Sequence, residues 1–201
     1  MILFGASGHA KVILDILIQN GISVEVIYDA VPPGDHLFGI PVLADVRHTP
    51  FSTDTKAIIA IGSNEVRKSI AESRPLHYIS ALHPLSCVSP FAEIGEGTVM
   101  MSHATVNPGA VIGKHGIINT GAVVEHDCQL GDYVHISPNA SLAGDVHVGE
   151  GTHIGIGSSV IQGIKIGKWC TIGAGAVIIR DVPDGATVVG NPGRIIKTMK
   201  P

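Results

Sequence analysis

The chain has 201 residues, of which 45% are hydrophobic but only 4% aromatic, and it carries a formal net charge of −4. No apolar run approaches the length of a membrane-spanning helix, and Met1 leads directly into a strand pattern, so we expect neither a membrane span nor a signal peptide. An acidic chain without interleaved basic and aromatic residues also argues against nucleic acid as a partner.

The chain before residue 83 alternates strands and helices. The expected elements are a strand over 2–4, a loop over 5–9, an amphipathic helix over 10–19, a strand over 22–28, a loop with Pro32, Pro33 and Gly34, a strand over 56–61, a helix from Asn64 to about Ser73, and a strand over 77–82. Asn64 is the expected N-cap of the second helix. This order predicts a small parallel sheet with helices on its faces. We divide the chain into an α/β domain over 1–83 and a second domain over 84–201.

The first strand–loop–helix unit resembles half of a Rossmann fold. Gly5 and Gly8 allow the backbone to approach a ligand, and the N-terminus of the helix attracts phosphate oxygens. Asp29 ends the second strand, where such folds place a carboxylate for a ribose or a base. Because Gly5-x-x-Gly8 is shorter than the full dinucleotide fingerprint, a tight turn that serves only packing stays an alternative to nucleotide binding.

From residue 88 onward an aliphatic residue recurs at every sixth position, and a small residue usually stands two positions before it. A period of six fits neither an α-helix nor a flat strand, and it predicts a parallel β-solenoid in which three six-residue units close one coil. Sixteen such units make about five coils. The sixteen positions are Val88, Ile94, Met100, Val106, Ile112, Ile118, Val124, Leu130, Ile136, Leu142, Val148, Ile154, Val160, Ile166, Ile172 and Ile178.

The charge is distributed unevenly along the chain. Residues 1–159 carry seven basic and 15 acidic side chains, whereas residues 160–201 carry six basic and two acidic ones. This basic end is either a solvated end of the solenoid or an anion site for a phosphate-rich cofactor. Its basic residues are Lys165, Lys168, Arg180, Arg194, Lys197 and Lys200.

The three cysteines fall within the solenoid. Cys128 and Cys170 occupy the small-residue position of their units, so we interpret them as core fillers. An odd number of cysteines without an evident pairing is typical of a reducing compartment, and we expect the protein in the cytoplasm.

Six histidines also fall within the solenoid, and none occupies the axial or the small-residue position. We therefore expect all of them at the surface or at corners: His103, His115, His126, His135, His147 and His153. His126 differs from the others because Glu125 and Asp127 flank it. A neighbouring carboxylate raises the pKa of an imidazole and holds one tautomer, as a general base requires. His135 and His153 are one coil apart and should lie on the same face.

A metal site is one alternative for these histidines. The γ-class carbonic anhydrases resemble the hexapeptide region, and they bind zinc through histidines of two neighbouring chains. Here the only closely spaced pair is His147 and His153, and that class gives no reason for a Rossmann-like first domain. We therefore expect no metal.

Five segments together resemble the bacterial sugar O- and N-acetyltransferases of the PglD/NeuD type, over essentially the whole chain. That family includes acetyl-CoA-dependent enzymes that act on UDP-linked 4-amino sugars. The segments are Phe4-Gly5-Ala6-Ser7-Gly8-His9-Ala10-Lys11, Ile61-Gly62-Ser63-Asn64-Glu65-Val66-Arg67, the hexapeptide run, Val124-Glu125-His126-Asp127-Cys128 and Val189-Gly190-Asn191-Pro192-Gly193.

The resemblance implies a left-handed β-helix that forms a homotrimer, with active sites in clefts between neighbouring prisms. His126 matches the general base of the family and Asp127 the acidic residue that orients it. His135 matches a histidine that contacts the thioester of acetyl-CoA, and Asn119 is a candidate for lining the acceptor pocket. Further candidate residues for binding the sugar nucleotide or the cofactor are Gly5, Ser7, Gly8, His9, Asp29, Gly144, Gly173, Lys168 and Arg194. Some family members carry paired acidic residues after the second strand, but this chain has Asp29-Ala30, which leaves the nucleotide open.

The implied reaction is direct acetyl transfer in a ternary complex. His126 would remove the proton from a sugar amine or hydroxyl, and backbone N–H groups or His135 would stabilise the oxyanion. Because Cys128 is expected to point inward, no covalent acyl-enzyme is needed. Two alternatives stay open, which are O-acetylation of a sialic acid or another glycan, and a non-catalytic trimer that binds sugar nucleotides.

Overall fold

The computed structural model describes residues 1–45 and 50–198. The first part is an α/β unit with a six-stranded sheet in the order β3-β4-β2-β1-β5-β6. All neighbouring strands in it are parallel except β3 and β4, which form an antiparallel hairpin. Its elements are β1 (Ile2–Phe4), α1 (Gly8–Gln19), β2 (Val26–Asp29), β3 (His36–Leu37), β4 (Ile40–Ala44), β5 (Lys56–Ile59), α2 (Asn64–Ser73) and β6 (His77–Tyr78).

The structure corrects several details of this first part. Helix α1 begins at Gly8 rather than at residue 10, because the first N–H groups of a helix need no intrahelical acceptor and Gly8 can join the first turn. The N-cap of α2 is Ser63 rather than Asn64, since Ser63 has an extended backbone and its hydroxyl accepts a hydrogen bond from the Val66 N–H. Strand β2 begins at Val26 rather than at residue 22, and β5 ends at Ile59 rather than at residue 61. The β3–β4 hairpin falls in a stretch for which no strand was expected.

The second part is a parallel β-solenoid of two-residue strands. Each of the sixteen expected aliphatic residues is the second residue of one strand, so the prediction from the period of six is confirmed. Strands 18 residues apart pair in register, for example Val99 with Ile117 and His135 with His153. The strands are β7 (Ala81–Leu82), β8 (Cys87–Val88), β9 (Glu93–Ile94), β10 (Val99–Met100), β11 (Thr105–Val106), β12 (Val111–Ile112), β13 (Ile117–Ile118), β14 (Val123–Val124), β15 (Gln129–Leu130), β16 (His135–Ile136), β17 (Ser141–Leu142), β18 (His147–Val148), β19 (His153–Ile154), β20 (Ser159–Val160), β21 (Lys165–Ile166), β22 (Thr171–Ile172) and β23 (Val177–Ile178).

The strands form the three faces of a prism. Face 1 contains β7, β10, β13, β16, β19 and β22; face 2 contains β8, β11, β14, β17, β20 and β23; face 3 contains β9, β12, β15, β18 and β21. At the C-terminal end, β24 (Ala186–Val189) extends face 1, and β25 (Arg194–Thr198) pairs antiparallel with it.

The interior of the prism is apolar and closely packed. The axial aliphatics from Met100 to Ile178 are buried, and so are the small residues two positions before them. A threonine at the small position satisfies its hydroxyl inside the core, as the Thr152 Oγ1 donates to Gly167 O at 2.7 Å and accepts from the Cys170 N–H at 2.9 Å. Cys128 and Cys170 are buried, as expected.

The α/β unit packs on the first three coils of face 1. The outward-pointing residues Ala81, Val99 and Ile117 are buried against the apolar side of α1. The expectation of one strand over 77–82 is wrong, because Ala81–Leu82 pairs with β10 and is the first strand of the solenoid. It lies just before the division that we place after residue 83, and that division stays a prediction. In the next coils the outward positions of face 1 carry His135 and His153 instead of apolar side chains.

Candidate active site

His126 lies at an exposed corner between face 2 and face 3, directly after β14. Its Nδ1 is 2.8 Å from the Asp127 Oδ2, and 62% of its side-chain surface is exposed. This hydrogen bond is the largest cause of a raised pKa for His126, and the negative charges of Asp127, Glu125 and Asp145 add to it. Since Nδ1 donates to the carboxylate, Nε2 is left free to accept a proton from a substrate.

Gly144, one coil further, makes room for this imidazole. A methyl group at Gly144 would lie 2.5 Å from the His126 Cε1 and 2.6 Å from its Nε2. The Gly144 N–H donates to no acceptor within residues 1–45 and 50–198, although those of Ala143 and Asp145 do. An unpaired N–H beside a candidate base is suited to stabilise an oxyanion.

A second group of polar residues lies on face 1. His135 Nε2 is 3.1 Å from the Asn119 Nδ2, while the Asn119 Oδ1 accepts the Thr120 N–H at 2.8 Å. Because the Thr120 N–H fixes which end of the amide is oxygen, Nδ2 is the donor and the His135 Nε2 is the acceptor. The ring proton of neutral His135 is therefore on Nδ1. In this tautomer Nε2 carries no proton, so it cannot donate a hydrogen bond to an oxyanion.

His135 belongs to a group of half-buried imidazoles. The rings of His135 and His153 are parallel within 8°, with centroids 4.7 Å apart, which confirms that they share a face. The His153 Nε2 is bonded to the Ser137 hydroxyl at 2.7 Å, and the ring of His9 lies 6.4 Å from that of His135. Burial is the main cause that lowers the pKa of His9 to about 4 and that of His135 to about 3, so both rings are neutral at physiological pH.

His9 is the residue at the start of α1 whose ring lies next to this group. It stands in the first turn of α1, and its Nε2 is buried without a hydrogen-bond partner among the described residues. An unpaired buried nitrogen costs free energy unless a ligand or water satisfies it. His9, Asn119 and His135 therefore form a polar site where the α/β unit meets the solenoid.

The loop between β1 and α1 is held by Asp29. The two carboxylate oxygens of Asp29 accept the N–H groups of Ala6 at 2.6 Å and Val31 at 2.9 Å, so this side chain shapes the loop. Gly5 has a φ of 101°, and a side chain there would collide with the Ala60 carbonyl. Ser7 is exposed and makes no capping bond, and Gly8 has open space beside it. The N-terminus of α1 therefore stays accessible.

The remaining candidate binding residues lie elsewhere. A side chain at Gly173 would collide with Val189, so the small size of Gly173 serves the packing of β24. Lys168 is exposed on an open groove along face 3 beside His147 and Lys165, and Arg194 is exposed at the start of β25. Lys200 lies outside the described residues.

His115 lies at a corner of the solenoid, as expected, but this corner is buried rather than exposed. Only 3% of its surface is exposed, and its ring is stacked on Tyr133 and packed edge-on against Tyr78. The six-residue period describes what points to the axis, but it does not show that another unit covers a corner from outside. Burial lowers the pKa of His115 to about 4.

One chain does not assemble all of the expected site. His126 occupies the corner shared by faces 2 and 3, and in a triangular prism that corner is opposite face 1, which carries His135. The structure thus brings His9, Asn119 and His135 together but leaves His126 with Asp127 and Gly144 on the other side. Sequence reasoning missed this separation, although positions 126 and 135 fall in different phases of the 18-residue coil.

The described part of the chain contains neither a cluster of metal ligands nor a helix that could span a membrane. No three His, Cys, Asp or Glu side chains within residues 1–45 and 50–198 are placed to hold a metal ion. The helices of the same residues lack the length and apolar composition that crossing a membrane requires.

Comparison with known proteins gives matches over the whole chain. Residues 1–73 match the PglD N-terminal domain, and residues 145–180 match the bacterial transferase hexapeptide of six repeats. PerB from Caulobacter crescentus, solved in complex with CoA and GDP-perosamine, is 38% identical with a TM-score of 0.89, covering 98% of this chain and 96% of that one. The acetyltransferase domain of PglB from Neisseria gonorrhoeae, solved in complex with acetyl coenzyme A, is 36% identical with a TM-score of 0.89, covering 97% and 98%.

A curated relative gives a similar indication from sequence. The UDP-N-acetylbacillosamine N-acetyltransferase of Bacillus subtilis is 42% identical over 108 residues, which is 50% of each protein. The chain thus spans half or less of the length of the curated relatives that it matches.

Proposed function

The chain belongs to the PglD-type family of sugar acetyltransferases, and from this membership we propose that it transfers the acetyl group of acetyl-CoA to the amine of a nucleotide-linked sugar. The observation that carries this proposal is the His126–Asp127 pair, which is exposed and has a free Nε2 beside the unpaired N–H of Gly144. A scaffold has no use for a poised imidazole at an open corner. The solved relatives hold CoA or acetyl-CoA, and one of them also holds GDP-perosamine.

The reaction balances with one proton transfer to and from His126. The sugar amine attacks the thioester carbonyl, and its proton passes to the Nε2 of His126, while Asp127 stabilises the imidazolium. The tetrahedral intermediate carries its negative charge on the former carbonyl oxygen, where the Gly144 N–H is a suitable donor. The C–S bond then breaks, and the imidazolium returns the proton to the CoA thiolate. No residue is acylated, and the buried Cys128 thiol takes no part.

We further propose that each site is completed by two chains of a homotrimer. This follows from the position of His126 opposite face 1: its corner can approach the His9–Asn119–His135 group only of a neighbouring chain. A cyclic trimer of prisms supplies three such contacts, each between different surfaces of two chains. In this arrangement acetyl-CoA lies in the cleft between prisms, and exposed Lys165 and Lys168 are suited to attract its phosphates.

The α/β unit is the proposed site of the sugar nucleotide. The accessible N-terminus of α1, with Ser7 and Gly8, is suited to a diphosphate. Asp29 fixes the shape of this loop by accepting the N–H groups of Ala6 and Val31. In the proposed site Asp29 therefore supports nucleotide binding by holding the loop, and its carboxylate oxygens are also available to accept a hydrogen bond from the nucleotide. The named relatives act on or bind sugars carried by UDP or GDP, and both nucleotides belong in the test.

Two alternative functions fit the same site, and we also propose a cellular location. Transfer to a hydroxyl of a sialic acid or other glycan would use the same base, and a protein that binds without turnover would leave His126 unused. The cytoplasm is the proposed location, supported by the free thiols of all three cysteines.

The first test measures CoA thiol release with purified protein, acetyl-CoA and either a UDP-linked 4-amino sugar or GDP-perosamine. We expect turnover that His126→Ala abolishes while acetyl-CoA binding stays close to wild type. Turnover only with hydroxyl acceptors would select O-acetylation, and no turnover with any acceptor would select the binding protein.

A mixing experiment tests the two-chain site. Trimers of His126→Ala and of His135→Ala are each expected to be nearly inactive. When the two are unfolded, mixed in equal amounts and refolded, about a quarter of the sites receive an intact corner from one chain and an intact face from the next. Recovery of about that share of wild-type activity supports the shared site, and no recovery contradicts it.

A further inference from the structure

Arg67 on α2 is the most deeply buried charged side chain that the structure describes, with 1% of its surface exposed. All five of its N–H donors are used. They bond to His115 O at 2.8 Å through Nε, to Ile61 O at 3.1 Å and Gly62 O at 3.2 Å through Nη1, and to Asn64 Oδ1 at 2.8 Å and Tyr133 O at 2.8 Å through Nη2.

The solenoid partners of Arg67 are carbonyls that the sheets leave free. His115 and Tyr133 are left-handed corner residues of successive coils, with φ of 53° and 60°. Their carbonyl oxygens accept no backbone hydrogen bond from residues 1–45 or 50–198, and the guanidinium bridges the two. Arg67 thus donates hydrogen bonds to two neighbouring coils from one planar guanidinium group. The ammonium group of a lysine cannot bridge them in this way.

Burying a guanidinium between two units carries a free-energy cost of desolvation. Arg67 has no carboxylate partner among the described residues, and burial lowers its pKa only to about 10, so it stays charged. Buried charges contribute little or unfavourably to stability compared with apolar packing. The docking has other contacts in any case: the apolar side of α1 on face 1, the bond of Asn64 Nδ2 to Gly151 O at 2.9 Å, and the ion pair of Lys68 with Glu150.

The contact that distinguishes Arg67 from these is the one to the loop between β5 and α2. Gly62 in this loop lines a crevice together with His153, whose ring is stacked on that of His135. The bond from Arg67 Nη1 fixes the Gly62 carbonyl, and the bond from Nη2 fixes Tyr133, two residues before His135. Arg67 therefore contacts both the Gly62 loop and the Tyr133 corner, which flank the stacked rings of His135 and His153.

We propose that Arg67 is a positioning residue for the acyl-transfer site, which holds the Gly62 loop and the Tyr133 corner at a fixed separation and thereby fixes the ring and the tautomer of His135. The proposal rests on the proposed function in so far as His135 belongs to the site of transfer. The Asn119 amide assigns the ring nitrogens of His135, since Nε2 accepts from the Asn119 Nδ2 and the ring proton is therefore on Nδ1.

The positive charge of Arg67 also favours the neutral form of the imidazoles near it. It lowers the pKa of His135, of His9 and of His153, in each case after the larger effect of burial. The charge of Arg67 thus adds to burial in favouring the neutral form of these three imidazoles, and a neutral ring has one nitrogen that donates and one that accepts.

The test compares Arg67→Lys with Lys68→Met. Arg67→Lys keeps the charge and part of the hydrogen bonding but cannot bridge both corners and the loop at once. Lys68→Met removes the neighbouring docking ion pair without touching Gly62 or Tyr133. We expect Arg67→Lys to lower kcat by about tenfold or more, with the KM for acetyl-CoA within about twofold of wild type. Lys68→Met is expected to lower Tm slightly and to leave kcat unchanged.

A spectroscopic measurement separates this proposal from the proposed function. In ¹⁵N-edited spectra of the imidazoles, assigned with His135→Gln, wild-type His135 should appear as a single neutral tautomer protonated on Nδ1. Arg67→Lys should give averaged or shifted His135 signals while the fold is intact. An unchanged His135 signal together with wild-type kcat would overturn the role of Arg67. If the wild type transfers no acetyl group, the proposed function fails, and the His135 signals still decide whether Arg67 fixes the ring.

Discussion

Replacing Gly144 by alanine is expected to disable the candidate base without unfolding the solenoid. The backbone of Gly144 does not lie in the left-handed region, so alanine can adopt its conformation without strain. The new methyl group would, however, stand 2.5 Å from the His126 Cε1. The substitution keeps the Gly144 N–H, and it therefore tests the placement of the imidazole separately from the oxyanion donor.

The size of the effect follows from the distance that the ring must move. Ordinary contact between carbon atoms is about 3.5 Å, so the imidazole must retreat by about 1 Å. Because His126 is exposed, its side chain can swing away at little cost, but the hydrogen bond to Asp127 is then lost. A displacement of about 1 Å in a catalytic group can cost about 100-fold in rate, or about 2.7 kcal/mol in the activation free energy.

The assay is thiol release at saturating acetyl-CoA and acceptor, with Tm measured on the same samples. We expect kcat to fall by about 100-fold while Tm and the KM for acetyl-CoA stay near wild type. Gly34→Ala is the matched control, since a methyl group at Gly34 meets nothing within 4 Å and its backbone is also unstrained. Retention of wild-type kcat by Gly144→Ala, with the His126 ring displaced in a structure of the variant, would refute the assignment of His126 as the base.

Three further predictions follow from single contacts. Asp127→Asn removes the main cause of the raised pKa of His126; because the neutral imidazole is the active form, the acidic limb of the kcat profile should move to lower pH, and a limb that stays in place contradicts the assignment. Thr152→Val leaves the Cys170 N–H unpaired in the core and should reduce the free energy of unfolding by about 1–3 kcal/mol in a urea titration, whereas an unchanged value would mean that the core relaxes around it. Asp29→Ala should raise the KM for the sugar nucleotide but not that for acetyl-CoA, and equal effects on both would point to general destabilisation.

The sequence predicts the solenoid well because its contacts are regular along the chain. Every coil repeats the same environment after 18 residues, so one rule on size and polarity assigns the axial position, the small position and the strand for each unit. Thr152 shows how far the rule extends, since a hydroxyl at a small position is tolerated where the next coil offers a carbonyl and an N–H. The stacking of His135 on His153 follows from the same spacing.

What the rule cannot predict is the outside of the prism. Whether an outward residue is covered depends on a different part of the chain, as the burial of His115 beneath α2 shows. A weak signal does exist: Ala81, Val99 and Ile117 are apolar outward residues one coil apart on one face, which indicates that something packs there. The cap of α2 also differs from the prediction because of a contact with the solenoid, since the Asn64 side chain donates to Gly151 O while Ser63 caps the helix.

The two groups of histidines on opposite sides of the prism have different electrostatic environments. A base needs a carboxylate and access to water, and the corner of His126 gives both, so its pKa is raised. A neutral hydrogen-bonding imidazole needs burial, and the junction between α1, the Gly62 loop and face 1 lowers the pKa of His135 to about 3. The two environments shift the pKa values of the two imidazoles in opposite directions, which is the pattern that assigns one group as a base and the other as a neutral partner. In the proposed trimer, the exposed corner of one chain and the junction of its neighbour would bring a basic His126 and a neutral His135 to the same substrate.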